Sequence, residues 1–252
     1  MIYIGLPVHN ERHTIGPLLW RIRELLYGER REFHVIVCDD ASEDGTREAL
    51  SKYTRILPMT LLDNETCLGY ASSLERLVRE AAARSGYPKR DALVTMQADF
   101  SDPPECVHEL LRRFEGGADL VSVAAVAPSS NSRRLARWGA NVFARSVRAP
   151  HPDHDPYATM RLYRLFTLGR ALEDVGEDSP LLTQRGWAAN AELLLRVWPH
   201  TRRGETIEAP PARERRYRES RFRALPQLRA LVRAERDPTV RRALERARKT
   251  VA

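Results

Sequence analysis

The chain has 252 residues, 41 Lys and Arg against 34 Asp and Glu, a formal charge of +7, and 42% hydrophobic residues. This suits one large globular body, argues against wholesale disorder, and leaves no apolar run near the roughly 20 residues that span a bilayer. The positive excess points to an anionic partner, which nucleic acid, a phosphorylated substrate or an acidic membrane surface would each satisfy.

Residues 2–6 predict a first strand, ended by Pro7-Val8-His9-Asn10-Glu11. Residues 14–26 then predict a helix with Ile15, Leu18, Leu19, Ile22, Leu25 and Leu26 at helical spacing. Pro7 makes the turn, while Asn10 and Glu11 offer an amide and a carboxylate for a ribose or base; the alternative is helix capping by Asn10 or Thr14. Residues 33–38 read as a second strand running into Asp39-Asp40-Ala41-Ser42-Glu43-Asp44-Gly45-Thr46 and a helix over 46–53. Adjacent carboxylates repel, so this pair is more natural if one accepts hydrogen bonds from a ligand. Residues 57–62 predict a third strand and residues 71–83 an amphipathic helix.

Residues 93–96 predict a fourth strand that turns polar at Gln97, Asp99, Ser101 and Asp102, before Pro103-Pro104 opens a helix ending at Phe114. Asp99, flanked by Gln97 and Ser101, offers oxygen ligands to Mg2+ or Mn2+; alternatively Asp99 and Asp102 cap the helix. Residues 119–124 predict a fifth strand. Strands alternating with helices imply a parallel, twisted sheet covered on both faces, with ligands at its carboxyl edge.

Beyond Val126 the alternation stops. Arg133, Arg134 and Arg137 fall within one helical turn, as either a phosphate clamp or a solvated basic face. Residues 157–168 continue as strand or helix, and residues 186–197 predict a buried helix carrying Glu192. That carboxylate either pairs with Arg161 or Arg196 or faces a cleft. Residues 205–210 predict a late strand, after which the chain becomes arginine-dense, with Tyr217 and Phe222 interleaved, and closes in basic helices. The expected division is a catalytic domain over residues 1–211 and a basic helical extension over 212–252. Cys38, Cys67 and Cys106 show no paired spacing for zinc or disulfides, and no targeting segment is read at the N-terminus, so a cytoplasmic protein is expected.

Taken together, the motifs at residues 7–11, 39–46 and 97–105 resemble those of the inverting family 2 glycosyltransferases of GT-A fold. Within that family the chain is most similar to the dolichol- or polyprenol-phosphate mannose synthase-like branch. The resemblance implies a Rossmann-like sheet in which Pro7, Asn10, Glu11, Asp39, Asp40, Gln97 and Ala98 hold the nucleotide of a nucleoside-diphosphate sugar. It also implies that Asp99, with Gln97 and Ser101, binds Mg2+ or Mn2+, and that Asp155 lines the sugar site. By the same resemblance, Arg133, Arg134 and Arg137 grip an acceptor phosphate, while Arg216, Arg218 and Arg221 close over the donor. A polyprenyl phosphate acceptor, met at the inner membrane face, is already ionised at pH 7; a hydroxyl acceptor would need a base, for which Asp155 and Glu192 are the candidates.

The chain departs from the family pattern at Gln97, where the first acid of Asp-x-Asp is expected, and at Tyr70, where many relatives carry a basic residue. Gln97 motivates an alternative function, nucleotide-sugar binding without turnover. Nucleic-acid binding through residues 213–223 is a third reading, disfavoured because it explains one basic stretch and none of the loops.

Overall fold

The computed structural model describes residues 1–29, 31–124, 155 and 158–209. Strands and helices alternate as β1 (Ile2–Val8), α1 (Ile15–Leu26), β2 (Phe33–Asp39), α2 (Thr46–Tyr53), β3 (Met59–Asp63), α3 (Tyr70–Arg84), β4 (Ala92–Thr95), α4 (Cys106–Glu115) and β5 (Leu120–Ala124). The chain returns as β6 (Arg161–Arg164), which runs directly into α5 (Leu165–Val175), so the segment read as strand or helix is both. It continues through α6 (Ala188–Val197), a short 3-10 turn (Trp198–His200) and β7 (Gly204–Glu208).

These strands form one seven-stranded sheet in the order β3-β2-β1-β4-β6-β5-β7. β1 pairs in parallel with β2 and β4, β2 with β3, and β5 with β7. The mostly parallel sheet expected from the alternation is therefore present, with one exception: β6 lies antiparallel between β4 and β5. The chain leaves β5 at the carboxyl edge and re-enters at that same edge, so β6 has to run the other way.

Every residue of β1 is buried, as expected of a central strand covered on both faces. Alternate side chains feed two cores. Ile2, Ile4 and Leu6 join Val35, Val94, Leu162 and Val121 beneath α1, α2 and α4, where Leu18, Ile22, Leu50 and Leu110 face them. Tyr3, Ile36, Leu93 and Leu120 meet Leu74, Leu77, Leu168 and Leu193 from α3, α5 and α6 on the opposite side. Gly5 permits the close approach of that second layer, since a Cβ there would lie 3.1 Å from Leu93 Cδ1.

Some boundaries shift for local reasons. Pro7 lies inside β1, opposite Cys38, and not in a turn. β4 has already parted from β1 after Gly5, so the missing proline N–H breaks no ladder there. β3 begins at Met59 because Leu57 N–H closes a turn onto Tyr53 O at 2.9 Å. α4 begins at Cys106, three residues after Pro103, because Pro103 and Pro104 form a preceding turn whose carbonyls accept Cys106 and Val107 N–H, each at 3.0 Å. The basic extension over 212–252 lies outside the described residues. Among those described, no helix is long and apolar enough to cross a membrane.

The reversed strand is clamped at its far end by Arg164. Its guanidinium meets Asp119 Oδ1 at 2.5 Å, donates to Ala118 O at 2.9 Å, and lies 4.3 Å from the centroid of the Phe114 ring. Replacing Asp119 would leave this half-buried cation without its counter-ion. Asp119→Ala is expected to lower unfolding stability by about 2 kcal/mol, measurable by urea titration.

Candidate active site

The four strands β1 to β4 run in the same direction, so the loops after Val8, Asp39, Asp63 and Thr95 gather at one edge. The non-glycine residues with left-handed backbone among those described, Asn10 (φ 56°), Ala41 (φ 54°) and Phe100 (φ 60°), all lie in these loops. Such conformations cost free energy and tend to persist where function or packing demands them.

Asn10 is tied across to the β2 loop. Its N–H donates to Ser42 Oγ at 2.8 Å, and its Oδ1 accepts Glu43 N–H at 2.8 Å. The Glu11 carboxylate accepts Thr14 Oγ1–H at 2.8 Å, and Thr14, the residue at the N-cap of α1, makes no side-chain capping bond to the helix. His9 Nδ1 faces the Asp40 carbonyl at 2.7 Å, an acceptor only, which makes that nitrogen the donor.

Asp39 and Asp40 are both buried but are used differently. Asp40 accepts Asn64 Nδ2–H at 2.6 Å, Leu68 N–H and Gly69 N–H at 2.8 Å each, and the Cys67 thiol at 3.3 Å. Burial pushes its pKa up, but these donors prevail and hold it below the usual carboxylate range. The partners expected from a ligand's N–H groups are therefore supplied by the chain's own loop over residues 64–69. The Asp39 carboxylate is hydrogen-bonded by Ser42 alone among the described residues, and burial leaves its pKa raised. Of the pair, Asp39 is the one whose carboxylate keeps accepting capacity among the described residues.

After β4 the chain folds back on itself. Asp102 Oδ2 accepts Gln97 N–H at 2.8 Å, and Asp99 Oδ1 accepts Ser101 N–H at 2.9 Å. The Ala98 side chain is buried in the core. Three oxygens of this turn take no hydrogen bond among the described residues: Asp99 Oδ2, Gln97 Oε1 and Ser101 Oγ. One carboxylate with two neutral oxygens is a donor set that suits Mg2+ or Mn2+, with further ligands left to a diphosphate or water. A second set, His9, Asp40 and Cys67, brings its ligand atoms within 4.8 Å of one another. There Asp40 already accepts four donors, one of them the Cys67 thiol, so that set is engaged with itself.

A network missed by sequence reasoning lies behind Gln97. Gln97 Nε2–H donates to Tyr70 Oη at 3.2 Å, and Tyr70 Oη–H donates to Asn190 Oδ1 at 2.9 Å. The Tyr70 ring stacks on Trp187, with centroids 5.6 Å apart and planes 20° from parallel. Burial raises the Tyr70 pKa far above an ordinary phenol, so it stays neutral. Arg161, fully buried in β6, donates to the Asn190 carbonyl at 2.7 Å and the Asp155 carbonyl at 2.6 Å. Asp155 thus has its backbone pinned to this network. An arginine among the strand residues Leu162 and Tyr163 was the available sequence signal; Asn190, which accepts the Tyr70 hydroxyl, lies 120 residues away and left none.

Glu192 requires a correction. It is completely buried, and its oxygens accept Thr183 N–H (2.8 Å), Thr183 Oγ1–H (3.0 Å), Gln184 N–H (2.8 Å) and Arg196 (2.8 Å). It pins the loop before α6 and is paired with Arg196; it does not face a cleft as a base would. Arg133, Arg134, Arg137, Arg216, Arg218 and Arg221 lie outside the described residues. A shallow hollow of about 400 Å³, lined by Tyr87, Pro88, Lys89 and Phe166, lies next to the amino end of β4, away from this chemistry.

Residues 3–170 match the family model described as glycosyl transferase family 2. A dolichol-phosphate mannosyltransferase of Pyrococcus furiosus is 29% identical over 119 residues, 47% of this chain and 31% of its own. An undecaprenyl-phosphate 4-deoxy-4-formamido-L-arabinose transferase of Pseudomonas paraeruginosa is 25% identical over 169 residues, 65% of this chain and 47% of its own. The chain thus spans between about a third and a half of the length of these curated relatives. Among solved structures, mannosyl-3-phosphoglycerate synthase of Rubrobacter xylanophilus has a TM-score of 0.65 at 18% identity, covering 98% of this chain and 75% of that one. Glucosyl-3-phosphoglycerate synthase of Mycobacterium tuberculosis, in complex with Mn2+, UDP-glucose and glycerol 3-phosphate, has a TM-score of 0.60 at 20% identity, covering 92% and 76%. At such identities the likeness establishes the GT-A fold.

Asp102, which ties the turn together, also accepts Thr159 Oγ1–H at 2.7 Å, and burial raises its pKa to about 6, with Asp99 nearby adding to the rise. A carboxyl whose folded pKa exceeds its unfolded value contributes most stability at low pH and loses it as pH rises through about 6. In metal-free buffer, the melting temperature of the unmodified chain relative to Asp102→Asn is therefore expected to rise as pH falls from about 7.5 to about 5. A difference that stays flat across that window would show that Asp102 does not titrate there.

Proposed function

Since the chain belongs to glycosyl transferase family 2, we propose that it transfers a sugar from a nucleoside-diphosphate sugar to a polyprenyl phosphate, with inversion at the anomeric carbon. The observation that carries the reading is the turn after β4. There Asp99, Gln97 and Ser101 keep oxygens without hydrogen bonds among the described residues, at the edge where Asn10 and Asp39 also lie.

In this reading Asp39 and the Asn10 loop receive the nucleoside, and Asp99, Gln97 and Ser101 would hold Mg2+ or Mn2+. The cation, when bound, supplies charge neutralisation on the departing nucleoside diphosphate. Asp155, its backbone fixed by Arg161, lines the sugar. An acceptor phosphate monoester presents an ionised oxygen at neutral pH and needs no strong base, which accords with the burial of Glu192. Arg133, Arg134 and Arg137 remain the proposed clamp for that phosphate, and Arg216, Arg218 and Arg221 the proposed closure over the donor. The two relatives, a dolichol-phosphate mannosyltransferase and an undecaprenyl-phosphate sugar transferase, support a polyprenyl phosphate acceptor. Meeting such a lipid would bring the chain to a membrane surface.

Gln97 favours a second reading, in which the nucleotide sugar is bound without turnover, because an amide contributes no charge to the cation site. The two separate experimentally. Melting temperatures are measured with UDP, GDP and their sugar conjugates in Mn2+, Mg2+ or EDTA, followed by transfer to undecaprenyl phosphate in detergent. A metal-dependent shift with one nucleotide, together with formation of a glycolipid, is the expected result; the shift alone would support binding without turnover. Asp99→Ala is expected to abolish the metal-dependent part of the shift, and an undiminished shift would remove Asp99 from the cation site.

A further inference from the structure

The two departures from the family pattern, an amide at 97 and a phenol at 70, form one hydrogen-bonded unit. The chemical reason lies in the symmetry of the group at 97. A carboxylate presents two equivalent oxygens, so either of its orientations can meet a cation. A primary amide presents one oxygen and one NH2, and the wrong orientation turns donor hydrogens toward the metal. An amide that has replaced an acid therefore needs a partner that distinguishes its two ends.

Tyr70 supplies that distinction. Its single hydroxyl proton is committed to Asn190 Oδ1 at 2.9 Å, so only lone pairs are left toward Gln97. Gln97 accordingly donates Nε2–H to Tyr70 Oη at 3.2 Å. Because the two ends of an amide diverge, this leaves Oε1 on the far side, where it takes no hydrogen bond among the described residues. The phenol is itself held in place by stacking on Trp187. The main chain of Asn190 is held through its backbone carbonyl by the fully buried Arg161.

We infer that Tyr70 is a positioning residue, which fixes the orientation of the Gln97 amide so that the cation site is offered oxygen and not nitrogen. This rests on the reading of Asp99, Gln97 and Ser101 as that site. Tyr70 touches neither metal nor donor; it acts through Gln97.

The test is a double-mutant cycle of Tyr70→Phe and Gln97→Glu, read as the Mn2+ concentration that half-saturates the protein in the presence of UDP and, separately, GDP. Electron paramagnetic resonance counts the free ion, so no turnover is needed. Phenylalanine keeps the ring on Trp187, and metal-free melting temperatures check that each variant folds. With Gln97 present, Tyr70→Phe is expected to raise the half-saturating Mn2+ concentration about 5-fold, the worth of one ordinary hydrogen bond. In the Gln97→Glu background, where the carboxylate has no wrong orientation, the same change is expected to leave it unchanged or lower it. An equal rise in both backgrounds would show that Tyr70 acts only through packing, and no rise in either that it does nothing for the site; each result overturns the inference. If the unmodified chain binds either nucleotide indifferently to Mn2+, the cation-site reading itself falls, and the inference with it.

Discussion

The carboxyl edge of the sheet depends on one repeated interaction: carboxylates that accept the N–H groups of the main chain in its loops. Asp40 captures Leu68 and Gly69, Asp102 captures Gln97, Asp44 captures Arg12 and Thr46, and Asp99 captures Ser101. On the other side of the molecule Glu75 of α3 takes Leu181 and Leu182, and Glu192 of α6 takes Thr183 and Gln184, so four consecutive amides are held by two side chains. Hydrogen bonds to ionised acceptors are stronger than neutral ones, which suits loops with little regular structure of their own. The acids near the edge thus divide into those consumed by the fold and those, such as Asp99, that keep an oxygen in reserve.

That division explains what could be read from the sequence. The strands were legible because a central strand buried on both faces becomes a continuous apolar run, as in Ile2–Val8, and the position of Asp99 followed from the polar switch after residues 93–96. Three short motifs in order led to the family whose model matches residues 3–170. Which acid of Asp39 and Asp40 is spent was not legible, because two of the four partners of Asp40 are backbone amides, which every residue but proline has, and the other two, Asn64 and Cys67, lie 24 and 27 residues away. Glu192 misled for the same reason: a carboxylate in an apolar helix demands an explanation, and its loop partners leave no trace in the pattern. The reversed direction of β6 was hidden as well, since four residues carry no sign of polarity.

The pair at 70 and 97 shows how a loss of charge can be met by a gain of order. In the proposed cation site the amide would attract a cation less than a carboxylate, while the phenol that accepts its Nε2–H is itself held by Trp187 and Asn190. A ring stacked on Trp187 loses little further rotational freedom when it accepts one more hydrogen bond, which makes it an economical means of orientation.

The reversed strand has a consequence for diversification. Val123 N–H meets Met160 O at 3.0 Å, so the chain that leaves β5 and the chain that enters β6 are already joined at the carboxyl edge of the sheet. The entropy cost of bringing two points of a chain together grows only logarithmically with the length between them, about 0.6 kcal/mol for each doubling. Insertions or replacements there would leave the pairing register of β4, β5 and β6 intact. The sheet therefore tolerates change best between two strand ends that are already held together at its carboxyl edge, while β1 to β4 and the loops that follow them stay as they are.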